Sequence, residues 1–148
     1  MSRLWANETL LLPLSAAFGV QIAKFLWEWM RRRDFDFRVL TRSGGMPSSH
    51  SAMVTSLATA VAVRDGLDSG LFAISVVFAF IVMYDASGVR QAAGKQAKVL
   101  NQILRELFSG QPITETELKE LIGHTPVEVI VGALVGMGYT LAWLFLVA

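Results

Sequence analysis

The chain contains no cysteine, so disulfide frameworks, thiolate nucleophiles and cysteine-based zinc sites are excluded at the outset. Histidine is nearly absent as well: two residues in 148, with no His-rich run to suggest a metal centre. Neither sign of charge is in excess. Thirteen Lys and Arg against twelve Asp and Glu leave a formal net charge of +1, and total charge therefore points to no partner class, nucleic acid included. There is no internal repeat and no low-complexity tract. What the chain does have is apolar residues, 53% of its length, which is high for a soluble domain and points toward a bilayer.

Four stretches are candidate membrane spans. The first runs from about Glu8 to Met30, the second from Ser49 to Val63, the third from Gly70 to Tyr84 and the fourth from Pro126 to Ala148. A bilayer core needs about 20 apolar residues in helical form. The first and fourth meet that length outright, and the fourth carries no Lys, Arg or Asp. The second, rich in Ala, Val and Thr, and the third reach it only with their polar ends included. A water-soluble helical core is the competing reading. No cleavable signal peptide is expected, since the first apolar stretch is too long and lacks a small-residue cleavage site.

Cation placement orients such a bundle. Arg31, Arg32, Arg33, Arg38 and Arg42 lie between spans one and two, and Arg90, Lys95, Lys98, Arg105 and Lys119 between spans three and four. The other ends hold only Arg3 and Arg64. That bias predicts that both cation-rich connections face the cytoplasm and both chain ends lie outside. Between spans three and four, Val89, Ala92, Ala93, Ala97, Leu100, Ile103, Leu104 and Leu107 recur at helical spacing. They predict an amphipathic helix over Ser87–Phe108, at the interface or packed under the bundle, followed by a short polar helix over Glu115–Leu121.

The chemistry-bearing residues cluster on the cation-rich side. His50 lies in Gly44-Gly45-Met46-Pro47-Ser48-Ser49-His50-Ser51, and His124 in Gly123-His124-Thr125-Pro126-Val127-Glu128. Imidazole is the side chain best able to attack, give or take a proton near neutral pH. Each histidine stands at a helix start, where unpaired N–H groups favour an anion. Thr125, Pro126 and Glu128 form a capping box that needs no functional explanation, but His124 is not explained by it. Glu128 lies one turn beyond His124 and can accept its ring N–H, the arrangement a nucleophile or base needs. Ser48 or Ser49 can cap the second span, and glycines beside them allow close backbone approach to a ligand. The bland alternative is a loop and cap with an interfacial histidine.

Lys24 and Arg31 stand seven residues apart, on one face of the first span, with Lys24 roughly 10 Å deeper. A cation inside a span is costly and is either functional or snorkelling; pairing of Lys24 with Glu28 is the structural alternative. In Asp85-Ala86-Ser87-Gly88-Val89-Arg90, Ser87 is a candidate cap for the amphipathic helix. Arg90 and Lys95 are candidate ligands for phosphate oxygens or for anionic headgroups.

Together these residues resemble the divergent branch of the type 2 phosphatidic acid phosphatase superfamily, related to bacterial acid phosphatases and vanadium haloperoxidases. The superfamily pattern is a Lys, six residues, then Arg-Pro; next Pro-Ser-Gly-His; then Ser-Arg, five residues, His, three residues, Asp. Lys24 and Arg31 match the first spacing, with Arg32 in place of proline. Pro47-Ser48-Ser49-His50 resembles the second motif, and His124 with Glu128 the end of the third. Gly-Gly-Met-Pro-Ser-Ser-His-Ser-Ala, Tyr-Asp-Ala-Ser-Gly-Val-Arg and Gly-His-Thr-Pro-Val-Glu-Val are similar to the divergent branch, and the likeness covers nearly the whole chain. One departure stands out. Leu118 occupies the place of the third-motif Arg, so a cation is missing; Arg90 or Lys95 is the expected substitute, and Arg42 a weaker one.

The resemblance implies a metal-independent phosphomonoesterase, without cofactor, that works through a phosphohistidine. His124 would be the nucleophile, Glu128 its orienting partner and His50 the acid. Lys24, Arg31, Ser48, Ser49, Arg90 and Lys95 would be the phosphate ligands. The expectation is thus an all-α integral membrane bundle of about four transmembrane helices plus a cytoplasmic-side amphipathic helix. It would form one domain over 1–148 in a bacterial plasma membrane and hydrolyse a lipid phosphate such as phosphatidylglycerophosphate or phosphatidate. A polyprenyl phosphate or diphosphate is the alternative substrate. A metal-dependent phosphatase using Asp85, Glu128 and the histidines, and a non-catalytic lipid-phosphate-binding protein, are the rival classes. The superfamily commonly has six spans; a homodimer would supply the packing surface that four lack.

Overall fold

The structure, a computed structural model, describes residues 6–33, 45–107 and 123–146. Arg38, Arg42, Gly44, Leu118, Lys119 and the short helix expected over Glu115–Leu121 fall outside the described residues. Among the described residues the fold has five α-helices and one π-helical turn: α1 (Glu8–Arg32), α2 (Ser49–Asp65), α3 (Gly70–Tyr84), the π turn (Asp85–Val89), α4 (Arg90–Leu107) and α5 (Pro126–Leu146). No strand occurs among the described residues.

Local chemistry sets the helix ends. Asn7, Ser48 and Ser69 cap α1, α2 and α3, each side chain accepting from a backbone N–H three residues on. Gly66, with φ +89°, follows the end of α2. Ser87 is not a cap. Its hydroxyl donates to Met83 O at 3.0 Å within a helix that does not break, because the π turn carries α3 directly into α4.

Among the described residues three segments are long and apolar enough to cross a membrane: Glu8–Arg31, the continuous Gly70–Arg105 and Pro126–Leu146. With α2 beside them the expected helical membrane bundle is present. The third span gains its length from the π turn and α4 rather than from polar residues before it. At 17 residues α2 is the short member, and it takes the central place, packed against α1, α3 and α5. Its sequence is weakly apolar because its neighbours are protein, not lipid.

The distribution of side chains is inverted relative to a soluble domain. Phe18, Phe80 and Phe145 are 66%, 66% and 74% exposed, whereas Ser48, Ser51, Ser56 and Thr140 are fully buried. Lipid tails are as apolar as leucine, so burying large apolar groups gains little; small residues and interhelical hydrogen bonds hold such bundles instead. Ser56 and Thr140 share a buried hydrogen bond of 2.6 Å, and Thr55 donates to Ala133 O at 3.0 Å. A Cβ at Gly132 or Gly136 would run into the backbone of Ser48 or Ala52. The stripe Gly132, Gly136, Thr140 is therefore what lets α5 lie against α2.

In α4 the expected apolar stripe only partly coincides with the buried face, which it shares at Ala97. Ala97 and Asn101 are buried, while Val89, Val99, Leu100, Ile103 and Leu107 are exposed. The buried strip is offset around the helix from the apolar one, which leaves most of the latter outward.

Candidate active site

The chain order of the bundle brings four ends together: the last turns of α1, the start of α2, the π turn after α3 and the start of α5. At the opposite end Glu8 and Arg64 meet in an ion pair of 3.1 Å, fixing α1 and α2 as antiparallel.

The start of α5 is built around one carboxylate. Glu128 Oε2 accepts the Thr125 backbone N–H at 3.0 Å, and Thr125 Oγ1 accepts the Glu128 N–H at 3.3 Å. That is a reciprocal capping box. The same Oε2 lies 3.1 Å from His124 Nδ1. A carboxylate only accepts, so Nδ1 carries the proton and Nε2 keeps its lone pair. The structural and chemical readings of Glu128 therefore both hold, on a single oxygen.

His124 is tied down by its backbone as well. Its N–H donates to Ala86 O in the π turn at 2.9 Å. Gly123, at φ +107°, lies so close to the backbone of Arg90 and Gln91 that a side chain there would collide. His124 is 3% exposed. Burial pushes its imidazole below the ordinary histidine value. The Glu128 hydrogen bond opposes that push, and the charges of Lys24 and Arg90 add to it. The net lowering favours the neutral ring, the state a nucleophile needs.

His50 arrives from the other side. The Ser48 N–H donates to Glu128 O at 3.0 Å, an approach made possible by the missing side chain of Gly132. This bond docks the start of α2 on the start of α5. The two imidazoles then face one another with centroids 6.4 Å apart and planes inclined by 63°. Attack requires a nucleophile about 3–3.5 Å from phosphorus, and an acid must reach the leaving oxygen within about 2.6–3.2 Å. The edge-to-face approach brings both imidazoles to one end of the bundle, within reach of a common small group.

Lys24 and Arg90 both lie within electrostatic reach of both histidines. Arg90 Nε donates to Asp85 Oδ2 at 2.6 Å. The remaining expected ligands divide. Ser48 is fully buried, and its hydroxyl accepts from Ser51 N at 3.3 Å and Ser51 Oγ at 3.0 Å. It is a cap and an anchor, not an exposed phosphate ligand. Ser49, also buried, is the first residue of α2. Arg31 and Lys95 are exposed, and neither charge is among those acting on the histidines. Among the described residues no group of three or more His, Cys, Asp or Glu side chains is placed to hold a metal ion.

Two contributors were not singled out in the sequence. Gly132 and Gly136 stand at the small-xxx-small spacing that marks close helix packing, a signal that was available. The pairing of Asp85 with Arg90 was not readable, because residues five apart sit about 140° apart on an α-helix.

Comparison with known proteins agrees with this architecture. The family model described as "Divergent PAP2 family" matches residues 5–139. An uncharacterized membrane protein of Bacillus subtilis (strain 168), YuiD, is 42% identical, over 93% of this chain and 94% of its own. No solved structure matches.

Proposed function

The chain belongs to the Divergent PAP2 family, and from that membership and the paired imidazoles we propose that it is a membrane phosphatase acting on a lipid phosphomonoester. The single observation that carries the reading is the edge-to-face approach of His50 and His124, centroids 6.4 Å apart, with Glu128 on Nδ1 of His124.

In this mechanism His124 Nε2 attacks phosphorus while the bond to the lipid oxygen breaks. His50 gives its proton to the departing alkoxide. Glu128 stabilises the imidazolium character that develops on His124. Water, deprotonated by His50, then attacks phosphorus as the phosphorus–nitrogen bond breaks; its electron pair returns to His124 Nε2, phosphate leaves and neutral His124 is restored. Lys24 and Arg90 hold the equatorial oxygens, where positioning and charge supply most of the acceleration. Arg90 stands in for the cation absent from the third motif.

The same reading puts the site at the cytoplasmic interface. Arg31 and Arg33 close α1 at the site's end and Arg90 opens α4 there, against Arg64 at the other end. Phosphatidylglycerophosphate and phosphatidate, monoesters of the inner leaflet, are the favoured substrates, with a polyprenyl phosphate behind them.

The test is phosphate release by the detergent-purified chain from these three lipids, with acid-quench trapping of a labelled phosphoenzyme. His124→Ala is expected to abolish both phosphoenzyme and turnover. His50→Ala should slow turnover by roughly 10²–10⁴-fold, the usual worth of a general acid, while still forming phosphoenzyme from an activated aryl phosphate that needs no proton. Undiminished turnover in His124→Ala would end the assignment.

A further inference from the structure

A π turn is a rare interruption, and such turns concentrate at functional sites. Here it has two local consequences. It brings Asp85 and Arg90 onto one face, where Arg90 N–H bonds Asp85 O and Arg90 Nε bonds Asp85 Oδ2 at 2.6 Å. It also offers the Ala86 carbonyl to His124 N–H at 2.9 Å. The arginine and the histidine backbone are thus referenced to the same turn. Stability does not account for the ion pair, because its side chains are 45% and 38% exposed and exposed pairs stabilise little. Its position is more telling, since Arg90 and Asp85 both act electrostatically on His50.

We infer that Asp85 is a positioning residue for the phosphate site, gripping Arg90 by Nε so that its Nη edge is presented to the phosphoryl oxygens between His50 and His124. The inference rests on the phosphatase reading of this site. A guanidinium has five N–H donors in a fixed planar fork, and a carboxylate on Nε consumes one of them. The terminal edge keeps the geometry that binds two oxygens of one phosphoryl group. Without Asp85 the arginine, on a half-exposed stem, would sample many rotamers, and ordering it would be charged against every binding event.

Orthovanadate binding to the full-length, detergent-solubilised chain tests this without requiring turnover. Arg90→Gln is expected to weaken vanadate binding by roughly 10–10²-fold, the worth of a charge-assisted bidentate contact. Asp85→Asn should weaken it by roughly 5–20-fold, and Asp85→Glu should recover part of that loss. The deciding measurement is the double variant. D85N/R90Q should bind no more weakly than R90Q alone, because Asp85 acts through Arg90. Thermal unfolding of each variant, expected within a few degrees of the parent, separates positioning from misfolding. Additive losses, tighter vanadate binding by D85N, or no vanadate binding by the parent chain would each overturn the inference. The pattern above in a chain without phosphate release would keep it and remove the phosphatase reading. Turnover with additive losses would do the reverse.

Discussion

Glu128 shows how much one side chain can carry. Its Oε2 closes the α5 capping box and fixes the His124 tautomer at the same time. Substituting Gln preserves an oxygen able to occupy that position while deleting the charge, so Glu128→Gln isolates the electrostatic part. Glu128 raises the His124 value, by hydrogen bond and by charge, against the larger lowering from burial. Removing the carboxylate therefore lowers it further. Because protonated His124 cannot attack, activity is lost as pH falls through that value. The acid limb of the pH–rate profile in Glu128→Gln should move to lower pH, with a plateau reduced on the order of 10–10²-fold. An acid limb shifted upward would contradict this account of the site.

At the scale of elements, the α2–α5 contact decides whether the histidines meet. Gly132 lets the Ser48 backbone reach Glu128 O, and Gly136 does the same for the next turn of α2. Gly138 is the internal control, since a Cβ there would find open space. Gly132→Ala should push the start of α2 away and lower turnover by at least about 10²-fold, since displacements near 1 Å cost that much. Gly138→Ala should leave turnover intact and raise the melting temperature slightly, a helical Gly being worth up to about 1 kcal/mol less than Ala. Equal effects at the two positions would show that the close approach is not what assembles the site. The stripe was visible in the sequence as spacing alone. What it packs against was not, because α2 carries too little apolar periodicity to declare a face.

The whole molecule is a bundle with small, hydrogen-bonded interior contacts and a large apolar exterior, which suits lipid on its flanks. Its lack of cysteine makes orientation directly measurable. Met46→Cys would lie at the site end and Leu67→Cys at the other, both at exposed positions. An impermeant thiol reagent applied to intact cells should label Leu67→Cys and reach Met46→Cys only after permeabilisation. The opposite pattern would turn the site outward and redirect the search for substrate to the external leaflet.

The sequence by itself determined the membrane helices, the apolar lengths that suit a membrane, the Thr125–Glu128 capping box and the His124–Glu128 dyad. These depend on neighbours within one helical turn, where spacing and chemistry suffice. Tertiary structure alone decided which cations stand by the histidines, that Ser48 is spent as a buried cap, and that a π turn swings Asp85 onto Arg90. Those outcomes depend on contacts between helices and on one departure from α-helical phase, and no periodicity within a single segment encodes either.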